Sequence, residues 1–341
     1  MDYAGLDYRN IRFPVNRALT DEERKSSYDR RRVPEGAATD FLSVIRVDSA
    51  SMELVDRWYG VKGFNTWLGT FVVLAGFAFV VIVGYFTFLD VKMGGVAATA
   101  FSVMGVGFVA SGVFLIRTEC FRMTHYPILL DRGGRMVHVT RTDGSVLSAR
   151  WDDLIFFAAE ARAAIPGKTH DLRAHVLSPD GNTVLETFSL VYVFLAGKAA
   201  VDEAWAFIWR YMEAEDGPAS TLAVLKQSAL MPVDGRKEGV LWSIVRTFIP
   251  GANWPLISLL FCVPFVLNAL GRIVAMKTCR LPVWPAAVTD SIVQDPADPY
   301  RRTASGNPPL KFVERGWSIV CFCLGLVILV AAMILLPPRL A

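Results

Sequence analysis

A chain of 341 residues with a formal charge of +3 is too nearly neutral to imply nucleic-acid binding. Its hydrophobic share of 53% is gathered into four long uncharged runs, which excludes a purely soluble protein. The five cysteines show no recurrent spacing, which argues against a disulfide framework.

Residues 1–62 form a polar N-terminal arm, expected on the cytoplasmic side. No secretory signal opens it, so insertion is expected to use the first transmembrane helix as an uncleaved signal. Thr20-Asp21-Glu22-Glu23 reads as a capping box ahead of the charged segment Arg24 to Arg32. Arg30, Arg31 and Arg32 are diluted by Asp29 and Glu35 and read as a solvated face rather than a lipid-binding cluster. Ser51 to Tyr59 reads as a short helix offering Leu54, Val55 and Trp58 to the membrane interface. Trp58, Tyr59 and Trp67 together look like an aromatic belt.

Residues 63–116 hold two apolar runs, Gly63 to Leu89 and Met93 to Ile116, joined by Asp90-Val91-Lys92. Each exceeds the roughly 20 residues needed to cross a hydrocarbon core of about 30 Å, so a transmembrane hairpin is expected. Arg46, Arg57 and Lys62 precede it, Arg117, Arg122, Arg132 and Arg135 follow it, and Lys92 alone lies in its turn. The basic flanks place both ends in the cytoplasm. Ala98, Ser102, Gly105 and Gly112 share one face of the second run, which favours close packing within the hairpin or, as an oligomer, between protomers.

Residues 117–216 change character to short alternating segments divided by turn residues. Strands are expected at Tyr126 to Leu130, Arg135 to Arg141, Ser145 to Trp151, Leu154 to Ala161, Leu172 to Ser178 and Thr183 to Val191. Asp131-Arg132-Gly133-Gly134 is a turn whose glycines take positive φ, Asp143-Gly144 a two-residue hairpin turn, and Pro179 to Asn182 a third. From Lys198 to Glu215, Val201, Trp205, Ile208, Trp209 and Met212 recur at helical spacing, so an amphipathic helix is expected to cap an open end of the meander. A curved meander with a C-terminal helix is a PH-like α+β arrangement.

The hairpin, the Gly turn and the stretch SARWDDLIFF resemble bacterial membrane-anchored PH-domain proteins over Thr66 to Glu215. THYPILLDRGGRMVHVTRTDGSVLSARWDD together with AWAFIWRYME is also similar to an uncharacterised family of bacterial inner-membrane proteins. Members of that family are often associated with type VI secretion and polymorphic-toxin loci. The resemblance implies an immunity or accessory role with a cognate toxin as protein partner, and it carries no catalytic residues.

Residues 217–246 read as a linker or interfacial helix, 247–271 as a third membrane segment, 272–315 as a basic loop and 316–338 as a further transmembrane helix. The third segment holds Pro250, Pro255, Pro264, Asn253 and Asn268. Four crossings would put the basic loop outside, against the distribution of Lys and Arg. A re-entrant hairpin, or a surface helix over Val240 to Ile249 with Arg246 snorkelling, would keep it inside. The length of the run favours a fourth crossing.

Chemistry-bearing patterns are weak. His125, His138, His170 and His175 lack the spacing of a metal site, and Cys120 with His125 has no companions. Asp152-Asp153 reads as a turn rather than a carboxylate pair, and Gly105-Val106-Gly107 lies within a span. No cofactor is expected, and no enzyme. The reading is an α-helical bacterial inner-membrane protein with about four spans, whose cytoplasmic PH-like module binds a protein through loops around Arg132, Arg141 and Asp180. A membrane-envelope scaffold or sensor, its module binding lipid or protein, is the alternative. A transporter or channel lacks the intramembrane charges it would need.

Overall fold

The computed structural model describes residues 13–88, 95–162, 168–192, 197–249, 255–293 and 295–335. The expected turn Asp90 to Lys92, Pro250 and Asn253 lie outside them. In chain order the first half comprises β1 (Arg17–Ala18), α1 (Asp21–Lys25), β2 (Val44–Val47), β3 (Ser51–Leu54), α2 (Arg57–Val61), α3 (Phe64–Phe88) and α4 (Gly95–Glu119). Strands β4 (Ile128–Asp131), β5 (Met136–Thr140), β6 (Val146–Arg150), β7 (Leu154–Arg162), β8 (Lys168–Leu177) and β9 (Thr183–Tyr192) follow. Then come α5 (Lys198–Glu213), α6 (Gly217–Leu225), α7 (Val240–Phe248), α8 (Pro255–Leu260), α9 (Cys262–Thr278), α10 (Ala286–Thr289), β10 (Arg302–Thr303) and α11 (Phe312–Leu335).

The chain divides into two units. The first gathers residues 1–60, 125–236 and 281–309; the second gathers 61–124, 237–280 and 310–341. Among the described residues the first unit holds the ten strands in two antiparallel sheets, β10-β2-β3-β4-β5-β6 and β1-β9-β8-β7. Trp151 turns the chain from one sheet into the other, fully buried against Phe156 at 4.4 Å between ring centroids. Its indole N–H donates to Glu213 of α5 at 2.6 Å, so the large apolar body stays dry while its polar edge is satisfied.

All six strands and the helix expected in the middle region are present. The helix does not cap an open end: Val201, Trp205, Phe207, Ile208, Tyr211 and Met212 join residues of both sheets in one core. The first turn also differs in detail. Arg135, not a glycine, carries the positive φ of 48°. Gly134 is needed because the Asp131 carboxylate accepts its amide at 2.8 Å and would collide with a side chain there. The β5–β6 loop is closed by the Arg141 amide donating to Ser145 O, with Gly144 at φ 91°, one residue longer than a two-residue turn.

The N-terminal arm departs most from expectation. Ser51 to Leu54 is a strand, not a helix, and it pairs with β2 on one side and β4 on the other. Leu54 and Val55 are buried rather than offered to lipid, and Tyr59 is fully buried, edge-on to His125 at 6.3 Å. Tyr59 therefore belongs to the interior and not to an aromatic belt. The capping box is present: Thr20 Oγ1 accepts the Glu23 amide at 3.2 Å, and Glu23 accepts the Thr20 amide at 3.0 Å.

In the second unit, α3 and α4 pack antiparallel along two glycine contacts. A side chain at Gly69 would lie 2.6 Å from Gly112 O, and one at Gly105 2.5 Å from Val80. In each helix the two contacting glycines, Gly69 and Gly76 in one and Gly105 and Gly112 in the other, are seven residues or about two turns apart, so the faces meet at backbone distance. Glu119 closes the base of the hairpin by accepting the Gly63, Asn65 and Thr66 amides at 3.0, 3.2 and 2.9 Å. A carboxylate at an α-helix N-terminus satisfies orphan amides and opposes the helix dipole. Among the described residues three helices are long and apolar enough to cross a membrane: α3, α4 and α11. The third apolar stretch is not one of them, being broken into α7, α8 and α9. Arg272 and Glu238, both buried, join its ends through two bonds of 2.7 Å, and Ser243 Oγ donates to the same carboxylate.

Candidate interaction surface

The three residues expected in the recognition loops occupy two different places. Arg132 leaves the β4–β5 turn and donates to Ala214 O at 2.6 Å and Glu215 O at 3.4 Å, capping the carbonyl end of α5. It therefore has an internal structural task. Arg141 follows the far end of β5, about 17 Å away along a five-residue strand. There its guanidinium bonds Glu186 of β9 at 2.7 Å, half-buried. That ion pair joins the end of β5 to the side of β9, past the β8–β9 turn that carries Asp180.

Asp180 is exposed and organises its own turn. Its carboxylate accepts Ser178 Oγ and the Asn182 amide, bonds that hold it below the usual carboxylate range, with Gly181 at φ 72°. Asp143 does the same in the neighbouring turn, accepting the Ser145 hydroxyl and amide at 2.7 and 2.8 Å. Arg132 and Arg141 thus stand at opposite ends of β5, and Asp180 sits in a separate turn that the arm touches through Arg24 and Asn182.

Two ionic clusters, one buried and one half-exposed, have no counterpart in the sequence pattern. Asp171, fully buried, accepts Arg57 at 2.9 Å and Arg173 at 2.9 Å, and Arg173 lies 4.8 Å over the Phe13 ring. The second holds Arg135, which bridges Asp152 at 2.6 Å and Glu213 at 3.0 Å while Arg30 also reaches Asp152. These bonds explain why Asp152 titrates low, with the Arg135 hydrogen bond as the main cause. Neither cluster has a sequence spacing that could reveal it whole, since Arg57 is 114 positions from Asp171 and Arg30 is 122 from Asp152.

Beside Arg57, a cavity of about 30 Å³ is lined by Phe13, Asp56, Trp58, Tyr126, Thr140 and Ser189. It would hold about two waters, far below the several hundred Å³ of a small-molecule site. Trp58 lines this cavity, and Trp67 packs edge-on to Phe64 at 5.6 Å in the first turn of α3. His175 is buried between Thr187 at 2.7 Å and Glu23 of the arm at 3.2 Å; His138 bonds Ser148 at 2.8 Å. Among the described residues no group of three or more His, Cys, Asp or Glu is placed to hold a metal ion.

No curated protein and no solved structure matches this chain. A family model described as a family of unknown function (DUF6708) matches residues 106–296, more than half of the chain. The match runs from the middle of α4 through the whole β4–β9 meander, α5 and the third apolar stretch to the loop before β10. The chain belongs to this family of unknown function, DUF6708.

Proposed function

We propose that the protein is a non-catalytic binding protein of the bacterial inner membrane, acting as an immunity protein against a cognate toxin of a type VI secretion system. Its recognition element is the cytoplasmic β unit, in which β3–β6, β7–β9 and α5 make a PH-like arrangement of two sheets and a C-terminal helix. The observation that carries the reading is the presence of two exposed hairpin turns, β5–β6 and β8–β9, each ordered by its own carboxylate, Asp143 and Asp180. Exposed loops held on a rigid scaffold are where recognition concentrates. Side chains in both turns are fixed by local hydrogen bonds, so a partner would meet a pre-ordered surface at low entropic cost. The basic flanks of α3 and α4 support a cytoplasmic location.

The test is co-expression with the product of the adjacent gene, scoring host survival. Rescue that is lost in Asp180→Lys, with the protein still present in the membrane, supports the reading. Absence of toxicity, or toxicity without rescue, sinks it and leaves the scaffold in front. Arg132→Ala is a poor probe because it also uncaps α5.

A further inference from the structure

We propose that the chain between Arg236 and Leu281 is a re-entrant membrane segment, entering and leaving the lipid through one face, so that the protein crosses the bilayer three times. Strands that share hydrogen bonds share an aqueous compartment, because an open sheet edge is not tolerated in lipid. β10 pairs with β2, Arg302 opposite Val47. The rest of the same loop is fastened to that unit as well. Asp298 accepts the Ser49 amide at 2.6 Å, Trp284 donates to Glu53 at 3.0 Å, and Asn307 exchanges two 2.8 Å bonds with Leu230.

Residues 281–309 therefore lie on the same side as residues 125–236. What separates them can cross the membrane only an even number of times. Two crossings would need two legs of roughly 20 residues. The uncharged run between Arg246 and Arg272, residues 247–271, is long enough for one such leg and too short for two. Zero crossings remain.

The segment is nonetheless built for lipid. Leu256 and Leu260 of α8 are 78% and 81% exposed, with Phe261 and Val274 also exposed. No charge stands between Arg246 and Arg272. The surface is continuous with the membrane helices: Gly325 of α11 packs on the Cys262 backbone, and Gly271 of α9 on that of Gly63. Lipid of the leaflet facing the β unit is the occupant this surface fits. The buried Arg272–Glu238 pair ties the two ends of the excursion together, as a loop returning to its point of entry requires. α11 then crosses alone, so Leu335 faces the opposite compartment from Phe312.

The test uses the full-length protein with single added cysteines at exposed sites: Asp180→Cys, Val293→Cys, Leu256→Cys, and one appended after Ala341. Each is exposed to a membrane-impermeant maleimide in right-side-out and in inverted vesicles, with the unmodified chain as background. Asp180→Cys and Val293→Cys should label from one face, the appended cysteine from the other, and Leu256→Cys from neither until detergent is added. Labelling of Val293→Cys from the face opposite Asp180→Cys overturns the proposal, as does aqueous labelling of Leu256→Cys from either face. Ser305→Cys replaces Val293→Cys if that variant fails to fold.

Discussion

Protonation reaches the N-terminal arm through His175. Burial, partly offset by the Glu23 hydrogen bond and the Glu23 charge, pushes its pKa below the ordinary histidine value; Arg17 and Arg173 push the same way as burial. Burial of Glu23 works against ionisation, but hydrogen bonds from His175 and Arg17 prevail and hold its carboxyl far below the usual range. A histidine with a depressed folded pKa loses stability as pH falls through its unfolded value near 6.5, and a depressed carboxylate loses it at still lower pH. Both signs agree, so acid loosens the arm. The Tyr28 amide, bonded to Phe156 O at 2.7 Å, reports the docking. Its hydrogen-exchange protection, corrected for intrinsic rate, should fall between pH 7.5 and 5.5 by at most about tenfold per pH unit. His175→Gln should flatten the dependence; an unchanged slope in that variant would refute the assignment. Asp171 offers a sharper probe. Asp171→Ala removes the carboxylate that Arg57 and Arg173 share, and breaking a buried ion pair costs about 3–5 kcal/mol. Thermal melting of the detergent-solubilised protein should show a large fall in Tm, and Asp180→Ala, at an exposed turn, a small one.

Among the elements, the α3–α4 hairpin makes the most direct demand on side-chain size. Gly112→Leu must displace backbone at Gly69, whereas Gly107 has nothing within 4 Å of an added Cβ. Overpacking of this kind costs about 1–3 kcal/mol. Gly112→Leu should therefore lower the thermal stability of the purified protein, and Gly107→Leu should leave it near the parent. Equal effects would show that the glycine contacts do not hold the pair. The small residues of α4 are visible in sequence, but their partners Gly69 and Gly76 are not, because a seven-residue spacing means little until an opposing helix repeats it. The strands β4–β9 were legible because alternation persists over each and a turn residue closes it. β2 and β3 were not. Each is four residues long, and the residues of β3 are buried on both faces, so alternation fails. The candidate surface was half legible: Asp180 is where a turn residue should be, while Arg132 proves to be a helix cap whose acceptors lie about 80 positions away.

At the scale of the molecule, the β unit is one fold interrupted twice in sequence, by residues 61–124 and 237–280. β3 and β4 are adjacent antiparallel strands, Leu54 opposite Ile128, yet the whole α3–α4 hairpin lies between them in sequence. Asp56 marks the root of this insertion, accepting the Trp58 amide and the Tyr126 amide at 2.8 Å each. Hydropathy changes at residue 62, so the pattern alone makes an arm of residues that include β2 and β3 of the sheet. The interrupted architecture predicts how fragments behave. Residues 125–236 alone lack β2, β3 and β10, leaving β4 as an open edge and the buried faces of Ile128 and Leu130 without Val44, Met52 and Leu54. An uncovered apolar edge strand invites aggregation. A chain of residues 13–309 with 61–124 replaced by a short Gly/Ser turn and 237–280 by a Gly/Ser linker retains every strand. It should be soluble and unfold in a single cooperative transition, whereas 125–236 should aggregate or melt without cooperativity. Solubility and denaturant melts of the two fragments decide the matter. If 125–236 folds as well as the longer chain, β2, β3 and β10 are decoration on an independent meander. If only the longer chain folds, the N-terminal strands and the returning loop are parts of one sheet, and all three segments share one compartment.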